Sequence, residues 1–210
     1  MPSDSTDPPA PQPSLAERTA DIYERHAEAF DRHRHKVLIE RTWLDRFLEL
    51  CPDGAILDVG CGAGEPIARY LMDQGRTVVG VDVAASMLAL CQARFPEQRW
   101  TQADMRSLDL GETYAGVIAW DSFFHLRPHD QRRCLVKLAR HVEPGGALMF
   151  TCGHEAGEIT GTVEGEAVYH ASLAPAEYER LLDAQGLGVE RFVAEDPDCD
   201  FHTVCLARRR

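Results

Sequence analysis

The segment Asp58-Val59-Gly60-Cys61-Gly62-Ala63-Gly64 has the plainest chemical use in this chain. Glycine at alternate positions lets a backbone turn sharply and lets a ligand approach without meeting a Cβ. Acids surround that turn. Asp58 precedes it, Glu65 follows it, Asp82 lies 22 residues after Gly60, and Asp104 stands beside Met105 further on. A carboxylate in the position of Asp82 can accept both hydroxyl hydrogens of a ribose. An acid at 104 can take the amino proton of adenine while Met105 covers the ring. A dinucleotide fingerprint wants glycine where Glu65 stands, and these carboxylates would repel a pyrophosphate. A nucleoside with a cationic end and no phosphate fits better, which leaves a nicotinamide-dependent oxidoreductase as the disfavoured reading.

A second group is Trp120-Asp121-Ser122-Phe123-Phe124-His125. Asp121 can contact a cationic cofactor, act as a base or cap a helix. His125 has a near-neutral intrinsic pKa and suits a general base, or it caps the following helix. A third is the stretch 153–174, rich in glycine and acid. Thr160–Val163 and Ala167–His170 can pair as a hairpin around Glu164-Gly165-Glu166. Above a pocket, that hairpin would offer His154, Tyr169 and His170, with Phe124, as contacts for a second substrate; a solvated hairpin without a role is the plainer alternative. His33 and His35 read as solvent-facing. Glu195-Asp196-Pro197-Asp198-Cys199-Asp200 packs four acids together. A charged turn that keeps a sheet edge soluble accounts for them, and a seat for a cation or basic acceptor is the alternative.

The elements that must position these groups alternate along the chain. Leu15 to about Asp31 is helical, with Ile22, Tyr23, Ala27 and Phe30 on one face, and a second amphipathic helix buries Leu44, Phe47 and Leu48. Strands are expected at Ala55–Val59, Thr77–Val81, Arg99–Ala103, Tyr114–Trp120 and Ala147–Thr151. Helices fall between them at Pro66–Gln74, Ala84–Phe95 and from near Pro128 to His141. A helix at Pro175–Gln185 and strands at Val189–Ala194 and His202–Ala207 follow. Regular alternation implies parallel pairing with helices on both faces, an α/β doubly wound sheet. The last two strands are joined too briefly for a helical crossover, so they run antiparallel.

The chain resembles the class I S-adenosylmethionine-dependent methyltransferases, small single-domain members in particular. The residues that carry the resemblance are Ile56–Gly64, Val79-Gly80-Val81-Asp82, Ala103-Asp104-Met105, Tyr114–Asp121 and Glu143-Pro144-Gly145-Gly146-Ala147-Leu148. It covers roughly residues 15–208 and implies a Rossmann-like seven-stranded sheet with the last strand antiparallel. It implies that Gly60, Gly62 and Gly64 back the methionine moiety of S-adenosylmethionine, that Asp82 holds the ribose, and that Asp104 and Met105 frame the adenine. Asp58, Cys61, Val83, Met87 and Trp120 complete the expected cofactor contacts, and Tyr23 is expected to cover the cofactor from a helical lid. The product would be S-adenosylhomocysteine. The Asn/Asp-Pro-Pro-Tyr/Phe motif of many amino-group methyltransferases is missing, since Asp121-Ser122-Phe123-Phe124 stands in its place. Thr151-Cys152-Gly153-His154 lacks the carboxylates of metal-dependent relatives, so no metal is expected.

Composition narrows the partners. The 210 residues include 22 Lys+Arg against 34 Asp+Glu, a net charge of −12, with 44% hydrophobic residues. This excludes global disorder, and no apolar run is long enough for a membrane helix. The acidic balance counts against nucleic acid. Seven cysteines without C-x-x-C spacing, and no signal-peptide pattern, suggest a cytoplasmic protein with reduced thiols. The expected organisation is a disordered tail at 1–14 and a catalytic domain at 15–210, the lid at 15–50 and the hairpin at 153–174. The expected function is methyl transfer to a small-molecule acceptor by a monomer or homodimer. A non-catalytic cofactor-binding module and a protein-substrate methyltransferase remain as alternatives.

Overall fold

The computed structural model describes residues 14–210. The tail expected over 1–14 lies outside the described residues apart from Ser14. That serine belongs to the first helix instead: its backbone N–H and its hydroxyl both donate to Glu17, at 2.7 and 2.8 Å. The Ser-x-x-Glu spacing makes this a capping box, which satisfies donors a helix start would leave free.

The helices are α1 (Leu15–His33), α2 (Arg41–Leu50), α3 (Ile67–Asp73), α4 (Ala85–Arg94), α5 (Pro128–Arg140) and α6 (Pro175–Asp183). The strands are β1 (Ile56–Val59), β2 (Val78–Asp82), β3 (Arg99–Gln102), β4 (Tyr114–Ala119), β5 (Val142–Cys152), β6 (Gly157–Val163), β7 (Glu166–Ser172), β8 (Leu187–Asp196) and β9 (His202–Arg209). Seven strands form one sheet in the order β3-β2-β1-β4-β5-β9-β8. The pairs from β3 to β5 are parallel, and β9 runs antiparallel to both β5 and β8. The fold is therefore the doubly wound α/β sheet with one reversed strand.

Central strands buried on both faces explain the near-continuous apolar runs. Alternate residues of β1 serve the two layers. Leu57 and Val59 pack with Leu135, Leu138 and Leu182 on the α5–α6 side, whereas Ile56 joins Trp43, Phe47 and Leu71 on the α2–α3 side. Strand β5 begins earlier than the sequence suggests, because Val142 already pairs with Tyr114 before a register shift.

Helix α1 covers the ends of the strands instead of a sheet face. Its Ile22 is fully buried against Val163 and Val168 of the hairpin, and its Ala27 against Ala63, Ala84 and Met87. The hairpin is longer than expected, pairing Gly157 with Ser172 at one end and Val163 with Glu166 at the other. Its two-residue turn places Glu164 and Gly165 at φ 49° and 81°, the geometry that a type I′ turn requires. Among the described residues no helix is long and apolar enough to cross a membrane.

Candidate active site

A cleft of about 1480 Å³ opens where the sheet order reverses between β1 and β4. Ligands bind at such switch points because the connections on either side diverge and leave a crevice at the carboxyl ends of the strands. Helix α1 and the hairpin roof it, and the turn between β8 and β9 closes one end.

The glycine turn forms the floor. Gly60 sits at φ 75°, and a Cβ there would overlap Ser122. Gly62, at φ 52°, has open space where a Cβ would stand. Asp82 ties the turn in place: one oxygen accepts from the Gly62 N–H and the other from the Ala84 N–H, both at 2.9 Å. Asp58 is 3% exposed, and no described group donates a hydrogen bond to it. Burial first, and then the nearby Asp82, push its carboxyl up to about 7. A buried carboxyl without a partner on the cleft wall, beside a glycine that leaves room for a ligand, suits an ammonium group. The residues present therefore fit the cofactor expected from the sequence. Glu65 plays a different part from the one its position suggested. It pairs with Arg69 at 2.5 Å and lies 3.6 Å from both Lys36 and Arg94, so its charge is compensated. The electrostatic case against a pyrophosphate accordingly rests on Asp58 and Asp82.

Other expected cofactor residues take varied positions. Cys61, Val83, Met87, Met105, Trp120 and Tyr23 all line the cleft, and Val83 is 41% exposed there. Asp104 lines it too, but Arg106 holds its carboxylate, with Nε at 2.9 and 3.0 Å from the two oxygens. Gly64 stands behind the turn, packed toward Phe95 and Cys91, and does not line the cleft.

The roof meets the floor at His125. Its Nδ1 lies 2.9 Å from the Tyr169 carbonyl, and its Nε2 lies 3.0 Å from the Tyr23 hydroxyl. A carbonyl only accepts, so this network assigns the proton to Nδ1 and leaves Nε2 to accept from Tyr23. Burial lowers the His125 pKa to about 4, which keeps the ring neutral at physiological pH. Phe124 and His170 pack around it, with ring centroids 4.7–4.9 Å apart. Tyr169 contributes its backbone, while its side-chain hydroxyl donates to Glu158 at 2.6 Å outside the cleft. His154 also stays outside, in an adjoining hollow of about 250 Å³ and 3.5 Å from Glu195.

Asp121 adopts a left-handed conformation, φ 46°, and donates its backbone N–H to Thr151 Oγ1 at 2.8 Å. That strained position turns its carboxylate toward His202 Nε2, 3.1 Å away. The opposite Nδ1 of His202 lies 2.8 Å from the Cys199 carbonyl. With acceptors on both sides the ring holds two protons, and the Asp121 bond chiefly raises its pKa to about 9. The sequence reading missed His202, and also Glu40 and Arg34, which line the same end at 3.4 Å from each other. A signal for His202 existed. A reversed last strand must start at the carboxyl ends of the parallel strands, so the turn before it has to border the cleft. The acidic turn at 195–200 is thus not a remote edge: Pro197, Asp198 and Asp200 line the cleft beside His202. Among the described residues no three His, Cys, Asp or Glu side chains gather as a metal site needs.

Comparison with known proteins agrees with this geometry. The family model described as "Methyltransferase domain" matches residues 56–146. A malonyl-[acyl-carrier protein] O-methyltransferase of Pseudescherichia vulneris is 30% identical over 135 residues, 63% of this chain and 52% of that protein. The dTDP-3-amino-3,6-dideoxy-alpha-D-glucopyranose N,N-dimethyltransferase of Streptomyces fradiae is 30% identical over 166 residues, 73% of this chain and 63% of that protein. The chain thus spans between half and two thirds of these curated relatives. Among solved structures, an amino pentose methyltransferase of Micromonospora echinaspora, with S-adenosylmethionine bound, superposes with a TM-score of 0.68 at 21% identity. That match covers 89% of this chain and 96% of the other, and it shows the shared fold.

Proposed function

We propose that this chain, which shares the fold of a known methyltransferase and matches a methyltransferase-domain model over residues 56–146, transfers a methyl group from S-adenosylmethionine to a small-molecule acceptor, leaving S-adenosylhomocysteine. The observation that carries this reading is Asp58 and Asp82 beneath the Gly60–Gly62 turn, one free to meet an ammonium and the other braced for a ribose. When bound, the cofactor supplies a methyl group activated by a sulfonium. The chain's own residues bind and orient. Asp82 is held by two backbone N–H groups, so it presents its remaining lone pairs without rearranging. Val83, Met87 and Met105 offer apolar surface for a purine.

Methyl transfer is an in-line displacement in which alignment and exclusion of water are the leading contributions. Tyr23, Phe124, His125 and His170 supply both from above. Asp121 and His125 are the groups we assign to the transfer point. Asp121 offers a carboxylate, and His125 offers an acceptor lone pair that Tyr23 occupies until a substrate displaces it. One relative's name gives a malonyl acyl-carrier protein and another a dTDP-amino sugar, so the acceptor does not carry over from them. A net charge of −12 favours a small acceptor over nucleic acid, and we place the protein in the cytoplasm as a monomer or homodimer.

Calorimetric titration with S-adenosylhomocysteine tests the reading. Micromolar binding by the wild-type protein, reduced at least tenfold in Asp82→Ala, is the expected result. Absence of wild-type binding would falsify it.

A further inference from the structure

The end of the cleft at His202 holds polar groups that the cofactor-binding residues do not explain. Glu40 is 3% exposed, and Arg34 engages one of its carboxylate oxygens at 3.4 Å. The other oxygen, Oε2, is buried and has no partner among the described residues. Trp120, also 3% exposed, packs against His202 with the rings tilted by 31°, and its indole N–H is likewise buried without a partner among the described residues. Both residues line the cleft. Unsatisfied buried polar atoms are rare because each costs the desolvation of a hydrogen-bonding group, so two of them on cleft-lining residues near His202 are groups for a ligand's polar atoms to satisfy.

The charges around them give the sign. Arg34 and His202 line this end of the cleft together with four carboxylates, those of Glu40, Asp121, Asp198 and Asp200. Each cation is already matched, Arg34 to Glu40 and His202 to Asp121. Those pairs leave Asp198 and Asp200 unmatched and the second oxygen of Glu40 without a donor among the described residues, a negative excess that disfavours a carboxylate acceptor and suits one that is or becomes cationic.

Resting on the methyltransferase reading above, we propose that this end is the acceptor subsite and that it takes a small amine with a neighbouring oxygen, the nitrogen against Glu40 and Asp121 and the oxygen toward the Trp120 N–H. The chemistry agrees. The amine first gives up its ammonium proton to solvent, and the neutral nitrogen then uses its lone pair to form the bond to the methyl carbon. The carbon–sulfur bond breaks, and its electron pair stays on sulfur. The positive charge leaves sulfur and arrives on nitrogen, where two carboxylates stabilise it. The surplus proton of the product ammonium then passes to solvent. An alcohol would instead need a strong base at the transfer point, and His125 is held there as a weak one.

The test uses the full chain saturated with S-adenosylhomocysteine and three ring probes: trans-2-aminocyclohexanol, trans-1,2-cyclohexanediol and cyclohexanecarboxylate. Saturation-transfer NMR measures binding of each to the wild-type protein and to Glu40→Gln. The amine is expected to bind most tightly, and Glu40→Gln to weaken it roughly tenfold or more, the size of one charge-assisted hydrogen bond. Affinity for S-adenosylhomocysteine should be unchanged in that variant, which also reports that it is folded; a variant that does not bind it is replaced by Trp120→Phe, measured at S-adenosylhomocysteine concentrations that saturate that variant, where binding of the amine should again weaken. A carboxylate that binds as well as the amine, an amine insensitive to both substitutions, or no binding by any probe overturns the proposal. Failure of S-adenosylhomocysteine itself to bind the wild-type protein is a different result and removes the methyltransferase reading.

Discussion

Asp58 and His202 carry opposite pH signatures, and each exposes a function. Burial, followed by Asp82, holds the Asp58 carboxyl up to about 7, whereas an unfolded chain ionises it near pH 4 (about 3.9). The folded state therefore binds the extra proton between these values, and the contribution of Asp58 to stability declines as pH rises from about 4 through about 7. A ligand ammonium reverses the preference and must expel that proton. Calorimetry at pH 6 in buffers of different ionisation enthalpy should record release of about one proton per S-adenosylhomocysteine bound. Asp58→Asn should abolish the release and weaken binding by about 1.5–3 kcal/mol. Buffer-independent heats at pH 6 would separate Asp58 from the ligand's ammonium. His202 runs the other way, because Asp121 raises its pKa to about 9. Its stabilisation is complete below the unfolded value of about 6.5 and fades as pH rises through about 9. His202→Gln should cost roughly 1–3 kcal/mol in urea unfolding at pH 7. At pH 10 the variant and the wild type should converge, and a difference that persists there would assign the effect to packing.

At the scale of elements, the roof is held differently from the sheet. Helix α1 touches the hairpin through Ile22, Val163 and Val168, and through Glu166, which lies 2.7 Å from Arg25 and 2.6 Å from His26. These contacts reach across more than 130 residues of sequence, yet they involve few buried side chains. Ile22→Ala leaves a void between roof elements and costs about 2–4 kcal/mol at a core site. Here the cost should appear as local opening. Hydrogen exchange is expected to accelerate over 15–33 and 157–172 while β1 and β4 stay protected. Uniform acceleration would mean that the roof and the sheet unfold as one unit. The hairpin was legible because Glu164-Gly165 sits between alternating residues, a local signal. Its partner was not, since nothing in the sequence of α1 states which element Arg25 and His26 will meet. The same reason hid Glu40. It comes from the start of α2, Asp121 from beyond β4 and His202 from β9, and no motif links the three.

For the whole molecule, the two halves of the cleft differ in how they were written into the chain. The half we assign to the cofactor hangs on one strand–turn–helix unit and on two more strand ends, so short segments with glycine and acid at fixed places specify it. The half we assign to the acceptor is assembled from α1, the 34–40 segment, the hairpin and the β8–β9 turn, whose meeting depends on the folded sheet. Binding at the cofactor half should consequently stabilise the entire fold. A ligand that binds only the native state at 100 times its dissociation constant adds about 2.7 kcal/mol. For a domain of this length that amounts to a rise in Tm of roughly 5–11 °C, at about 2–4 °C per kcal/mol. Differential scanning fluorimetry with S-adenosylhomocysteine should show this rise for the wild-type protein and little of it for Asp82→Ala, with NADH giving none. A shift with NADH and none with S-adenosylhomocysteine would mean that Asp58 and Asp82 do not select against a pyrophosphate, and the carboxylates beneath the glycine turn would need another explanation.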